Sequence, residues 1–366
     1  MAMRILIIPD KFKGTLTAQA AAKAIASGWK KSQPNDTLEL LPMCDGGDGF
    51  GEIISKLLGA KPRRIKTVDA AHHPIEILWW WEPKTQTAVI ESARIVGLAM
   101  LPTGKFRPFQ LDTLGLGKVL LAAEKLGCLK CVIGIGGSAT NDGGFGLARA
   151  LGWEFLDRTG TPINNWIDLK SLTQIVAPKN LSMKITVAVD VQNPLLGLRG
   201  ATRVYGPQKG LRKKDFLSAE TALAQLAQVS KTVLKKDFAR IPGAGAAGGL
   251  GFGLMAFLGA TPESGFEIFS RAANLEKRLQ KTDLVLTGEG ALDQQTLMGK
   301  GVGQLARLCR NMKIPCIGIA GVVLEREKAK NLFSQTHGLT EITSIENAKA
   351  HPAKFLEKLA EQIATG

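Results

Sequence analysis

The sequence predicts an α/β protein with two α/β domains: a Rossmann-like or flavodoxin-like parallel-sheet domain formed by both chain ends, and an inserted mixed-sheet α/β domain. Three observations predict it. Short β-branched apolar runs alternate with helical-period stretches near both ends of the chain. A middle stretch reads as consecutive extended segments separated by turn residues. At 366 residues the chain is long for one ordinary domain. The parallel-sheet domain is expected over residues 1–65 plus 280–366, and the inserted domain over 66–279.

"RILIIPD" (4–10) is a short buried-strand run, and "TLTAQAAAKAIASGWKK" (15–31) repeats its apolar residues at helical spacing behind a Thr able to cap it. "LELLPMCDGGDGF" (38–50) is a second strand ending in acids and glycines. "RRIKTVDA", "PIEILWWWEP" and "TAVIESARI" then form a meander, so a boundary is expected near residue 65. In the middle segment period-2 alternation puts Trp79 and Trp81 on one face and Trp80 on the other, which predicts a strand covered on both sides. Helix-strand alternation resumes from about 115 through "LLAAEKLG", "CVIGIGG", "FGLARALG" and "ITVAVDVQNPLLG". "TDLVLTGEG", "GVGQLARLCRNM", "IPCIGIAG" and "TEITSI" read as β-α-β-β material, with helices closing the chain.

Composition narrows the functional classes. The 47 Lys and Arg outnumber the 32 Asp and Glu, for a formal charge of +15 that favours anionic partners. The basic groups "KPRRIK", "LRKKD" and "KKDFAR" are scattered and lack aromatic interleaving, which argues against nucleic acid and for a solvated surface. Cys128 and Cys131 form a C-x-x-C after a helical stretch and before a strand, with no second ligand pair, and read as buried thiols. The four histidines offer no triad or metal spacing. No apolar run is long enough for a membrane span and no secretory signal is apparent, so a cytoplasmic location is expected.

Glycine-rich or acid-bearing loops follow the predicted strands or open helices: "PDKFKGT" (9–15), "CDGGDG" (44–49), "GGSATNDGG" (136–144), "VDVQNPL" (189–195), "YGPQKG" (205–210), "PGAGAAGG" (242–249) and "TGEGALDQQTLMGKG" (287–301). A strand that stops in glycines frees main-chain N–H groups to converge on an anion. Phosphoryl transfer uses such loops with lysines and carboxylates. The sequence lacks G-x-x-x-x-G-K-[ST], because Lys209 and Lys300 lie in other glycine spacings, and it lacks the protein-kinase motifs. Gly134, Gly136 and Ala139 also satisfy G-x-G-x-x-A, with Asp157 where a dinucleotide-binding domain places its ribose acid. A nicotinamide-dependent dehydrogenase of a small hydroxy acid therefore stands as an alternative, and a basic nucleic-acid-binding protein as a weaker one.

Taken together and in order, "PDKFK", "CDGGDG", "GIGGSATNDGG", "DVQNPLLG", "GPQKG", "PGAGAAGG" and "TGEGALDQQT" closely resemble the motifs of the bacterial type I glycerate kinases, from residue 4 to about 320. The resemblance implies two α/β domains with the site in the cleft between them. It also implies ATP- and Mg²⁺-dependent phosphorylation of D-glycerate to 2-phosphoglycerate, and it allows a homo-oligomer. Under that reading Asp190, Lys13 and Asp45 are the catalytic candidates, with Asp190 as general base or Mg²⁺ ligand and Lys13 on a phosphate or the glycerate carboxylate. Asp10, Asn193, Glu289 and Asp293 are expected at the substrate, and Asp190 and Glu289 at the metal. Gly136, Gly137, Ser138, Thr140, Asn141, Gly243, Gly245 and Gly248 would cradle the nucleotide phosphates. The chain departs from the family pattern at Lys11, where Ser is expected, at Gly14 for an acid, at Asp48 for Glu and at Lys118 for an acid.

Overall fold

The computed structural model describes residues 2–178, 183–297 and 301–365. Its strands, in chain order, are β1 (Arg4–Pro9), β2 (Thr37–Leu40), β3 (Lys61–Val68), β4 (Pro74–Glu82), β5 (Thr87–Glu91), β6 (Lys130–Gly134), β7 (Glu154–Leu156), β8 (Gln174–Val176), β9 (Lys184–Ala188), β10 (Thr261–Glu263), β11 (Leu284–Leu292), β12 (Cys316–Val323) and β13 (Gln335–Gly338).

The chain divides into two compact units, Met1–Asp45 with Gly265–Gly366, and Gly46–Ser264. Both divisions fall earlier than the expected 65 and 279. Residues 46–65 join the inserted unit because the helix Phe50–Leu58 packs on β4 and β5, and β3 pairs with β4 along its whole length. Residues 265–279 join the other unit because the helix Gly265–Ala272 packs on the helix Gly301–Asn311. Both junctions lie in stretches whose composition matches the strand-end loops elsewhere, so the sequence carries no mark there.

The unit built from both chain ends has a five-stranded sheet in the order β13-β12-β11-β1-β2, every pair parallel. Counted within the unit, this is the 2-1-3-4-5 order of flavodoxin-like sheets, whose switch point lies between β1 and β11. Ile5, Leu6, Ile7 and Ile8 are all buried, as a strand covered on both faces requires. Each such side chain contributes about 1.5–3 kcal/mol. The helix Ala18–Ser32 is capped by Thr17, whose hydroxyl accepts the Ala20 N–H at 3.1 Å, and it packs on the C-terminal helix Pro352–Thr365. The "TEITSI" segment is not a strand. β13 lies just before it, and Ser344 caps the helix Ile345–Ala350 by accepting the Asn347 N–H. Capping by Ser344 won over the apparent alternation.

The inserted unit has a six-stranded mixed sheet in the order β10-β9-β6-β5-β4-β3 and a small antiparallel pair, β7-β8. β10, β9, β6 and β5 are parallel, while β3 and β4 form the antiparallel arm of the meander. Trp79, Trp80 and Trp81 are all buried. Trp79 and Trp81 enter the main core, and Trp80 faces the other way beneath the Arg94 guanidinium, 5.3 Å from its ring centroid. The exposed edge strand β3 carries Lys61, Pro62, Arg63 and Arg64, which discourage pairing with another chain. "KPRRIK" thus has a structural use.

Candidate active site

At the carboxyl end of β1 the chain leaves the sheet through Asp10, whose N–H donates to the Gly288 carbonyl of β11 at 2.8 Å. Pro9 pairs with Gly288 in the sheet register, which sets Asp10 beside Glu289 at the switch point, where open α/β sheets bind ligands. Burial, and then the neighbouring Asp45 carboxylate, push the Asp10 carboxyl up to about 7; Glu289 adds to the effect. The Lys11 N–H opposes it by donating to Asp10 Oδ1 at 2.7 Å. Lys11 Nζ also lies 3.2 Å from Asp45 Oδ1.

In the short helix just past β11, Gln294–Leu297, Thr296 joins two of the predicted carboxylates. Its hydroxyl donates to Glu289 Oε1 at 2.6 Å, and its N–H donates to Asp293 Oδ1 at 3.2 Å. Asp10, Asp45, Glu289 and Asp293 are thereby gathered in one unit, with Lys13 exposed in the turn that follows β1. Lys300, from the same glycine loop, lies outside the described residues. A hollow of about 420 Å³ opens at the other end of this sheet beside Arg4, Glu39 and Lys277, and contains none of these acids.

In the inserted unit the glycine loops collect at the carboxyl ends of β6 and β9. After β6, Gly136 donates its N–H to the Gly46 carbonyl at 3.0 Å, and a side chain at Gly136 would strike the Gly47 backbone. The "CDGGDG" and "GGSATNDGG" turns are therefore stacked. Among the described residues, the N–H groups of Gly137, Ser138 and Asn141 have no protein acceptor, and Asn141 Oδ1 is buried without a hydrogen bond. Open amides of this kind suit an anion. The Ser138 and Thr140 hydroxyls bond to each other at 3.0 Å and brace the turn. Asp142 anchors it from behind by accepting the Thr113 hydroxyl at 2.7 Å and the Gly146 N–H at 2.9 Å. Burial pushes its carboxyl up.

"PGAGAAGG" has no strand before it and closes on this turn from another side. Gly248 has φ +72°, and a Cβ there would lie 1.9 Å from the Thr140 carbonyl oxygen, so only glycine allows the two loops to touch. Gly245 donates its N–H to the Asn193 carbonyl at 2.9 Å, and Gly243 packs against Val189, next to Asp190. Asp190 is half-buried just past the end of β9. The Asn193 amide is engaged at both ends, donating to the Arg199 carbonyl at 2.7 Å and accepting the Tyr205 hydroxyl at 2.7 Å. Its visible work is to hold this loop.

Cys128 and Cys131 are buried free thiols, and burial pushes Cys128 up to about 11. His72 and His73 pair locally with Asp112 and Asp69. Asp157 is an exposed turn residue that accepts the N–H groups of Thr159 and Thr161 at 2.8 and 3.0 Å. It leaves from β7, which lies outside the six-stranded sheet, so it is not the ribose acid of a dinucleotide fold. Sequence reasoning gave no role to Lys209 and Thr113, whose partners are distant in sequence, or to Thr296, whose partners Glu289 and Asp293 are close by. The lysine inside "GPQKG" was the one visible signal.

Two α/β sheets bearing carboxylates and anion-ready glycine turns beyond their strand ends define an enzyme that handles phosphorylated or carboxylated small molecules. Comparison narrows the class. The model of the Glycerate kinase family matches residues 5–366. A glycerate kinase of Halalkalibacterium halodurans is 38% identical, with 98% of this chain and 97% of the relative covered. The glycerate 2-kinase of Escherichia coli is 38% identical over 87% of this chain and 85% of its own. A crystal structure from Salmonella typhimurium LT2, described as a glycerate kinase 2, superposes with a TM-score of 0.82 at 33% identity. It covers all of this chain and 98% of its own. The chain belongs to the glycerate kinase family. It is an enzyme that phosphorylates glycerate with ATP as co-substrate, and neither the dehydrogenase nor the nucleic-acid reading finds support.

Proposed function

We propose that the enzyme transfers the γ-phosphoryl group of ATP to the 2-hydroxyl of D-glycerate, giving 2-phosphoglycerate, with Mg²⁺ as the metal. The observation that carries the nucleotide half of this reading is the turn after β6, where three main-chain N–H groups stand open and Gly248 permits a second glycine loop to close on it. The substrate half rests on Asp10, Asp45 and Glu289 around the switch point, with Lys13 available to an anion.

Asp10 has a carboxyl poised near neutral pH, which suits a base that takes a hydroxyl proton. It joins Asp190 as a candidate for that role. Glu289 and Asp293 are proposed as contacts of the hydroxy acid in their unit, and Asn193 as one beside the glycine loops of the other; Asp190 and Glu289 are each proposed as a Mg²⁺ carboxylate within its own unit. Among the described residues no group of three His, Cys, Asp or Glu is arranged to hold a metal. Mg²⁺ fits that finding, since it keeps several waters and uses one or two carboxylates with substrate phosphates. When bound it neutralises charge on the phosphate oxygens. Five buried free cysteines suit a reducing cytoplasm. The test is incubation with ATP, Mg²⁺ and D-glycerate, with 2- and 3-phosphoglycerate resolved. 2-Phosphoglycerate is expected; formation of the 3-isomer alone would overturn the regiochemistry.

A further inference from the structure

Among the described residues, the one cation buried in the glycine loops has no part in the assignments above. Lys209 sits at the end of a short 3₁₀ turn, Pro207–Lys209, and is 5% exposed. Its ammonium donates to the Thr140 carbonyl at 2.5 Å, inside the turn whose neighbouring amides stand open. A side chain at Gly248 would come within 2.8 Å of Lys209 Nζ, so the ammonium lies where three loops, 136–144, 206–210 and 243–249, meet. The charged group acting on it is Asp142, and that carboxylate is already held by Thr113 and Gly146. The helix Ala246–Leu258 packed beside it carries no charged residue. A fully buried cation with so little compensation is costly unless an anion arrives.

We infer that Lys209 is the positioning residue of the nucleotide cradle: it pins the Thr140 carbonyl so that the amides of Gly137, Ser138 and Asn141 stay aimed at a polyphosphate, whose charge in turn stabilises the buried ammonium. The inference rests on the proposed nucleotide site. Burial depresses the Lys209 ammonium to about 7, with Asp142 opposing. In the free enzyme at pH 8 the side chain is therefore mostly neutral. A bound polyphosphate favours the charged form, and the proton comes from solvent.

The test is calorimetric titration of the full chain at pH 8 with Mg²⁺ and adenosine 5′-(β,γ-imido)triphosphate, in two buffers of different ionisation enthalpy. Wild type is expected to take up more of a proton per chain than Lys209→Met, and the variant to bind at least tenfold more weakly. Should the variant match wild type in both proton uptake and affinity, the inference is overturned. If wild type binds no nucleotide, the cradle reading itself falls, and the inference with it. In case Lys209→Met does not fold, as circular dichroism would show, ¹³C-lysine NMR of wild type serves instead. One resonance should titrate near neutral pH and move upward when the nucleotide is added. A spectrum in which every lysine titrates near 10, with or without nucleotide, overturns the inference.

Discussion

Lys11 Nζ and Asp45 Oδ1 lie 3.2 Å apart, joining the first residue past Asp10 to the last residue of its unit's N-terminal segment. The pair places a positive charge beside two neighbouring carboxylates, at a position where the sequence resemblance led to the expectation of Ser. Lys11 lowers the Asp10 carboxyl through both its N–H and its charge. Replacing the side chain keeps the N–H and removes the charge.

Lys11→Ser should therefore raise the titration of the Asp10–Asp45 pair. The acid limb of the pH profile of kcat/KM is expected to move to higher pH by about half a unit to one unit, the smaller value reflecting solvent screening of a partly exposed lysine. Initial rates across pH 5.5–9 measure it. An unmoved acid limb would show that the pair does not govern the rate.

Asp10 also carries a stability prediction. Its folded carboxyl holds a proton up to about pH 7, against 3.8 ordinarily, so the folded state binds more protons than the unfolded state over that window. Stability contributed by this group is present at the acid side and is lost as pH rises through 7. Asp10→Asn should flatten that fall and gain about 2 kcal/mol over wild type at pH 8 relative to pH 5, each unit being worth about 1.4 kcal/mol. Urea unfolding of both proteins at the two pH values decides it, and parallel pH slopes would refute it.

Gly248→Ala is expected to cost about 3 kcal/mol or more, because the new methyl group meets the Thr140 carbonyl oxygen and the residue must keep a positive φ. Nucleotide affinity should fall with it. Thermal melting together with nucleotide titration provides the check, and a variant with wild-type melting and binding would mean the loops do not depend on their close approach.

Asp190→Asn keeps the size of the side chain while removing its charge. Turnover with ATP, Mg²⁺ and D-glycerate should drop at least a hundredfold, in the range of a lost acid-base or metal group. Wild-type turnover in a folded variant removes Asp190 from the chemistry.

Much of the fold was legible because local patterns suffice for it. The continuous apolar run 5–8 marks a fully buried strand, and Thr17 marks its helix start. Alternation assigned the three tryptophans to opposite faces. Where two local signals competed, as at "TEITSI", pattern alone chose the strand and the Ser344 cap decided otherwise. The domain limits were illegible for a different reason, since β3 and the helix before it are assigned by their pairing with β4 and β5.

By itself the sequence determined the α/β class, most of the principal strands and the glycine and acid turns that follow them, because these depend on side-chain period and backbone freedom over a few residues. Only the tertiary structure decided that Asp10 meets Gly288 and Glu289 at a switch point, that Lys11 reaches Asp45 and that Lys209 is buried against Thr140. Those relationships join residues from 34 to nearly 280 positions apart. They exist only once sheet register and loop packing have fixed which distant groups share one small volume, and burial there moves a carboxyl and an ammonium toward neutral pH.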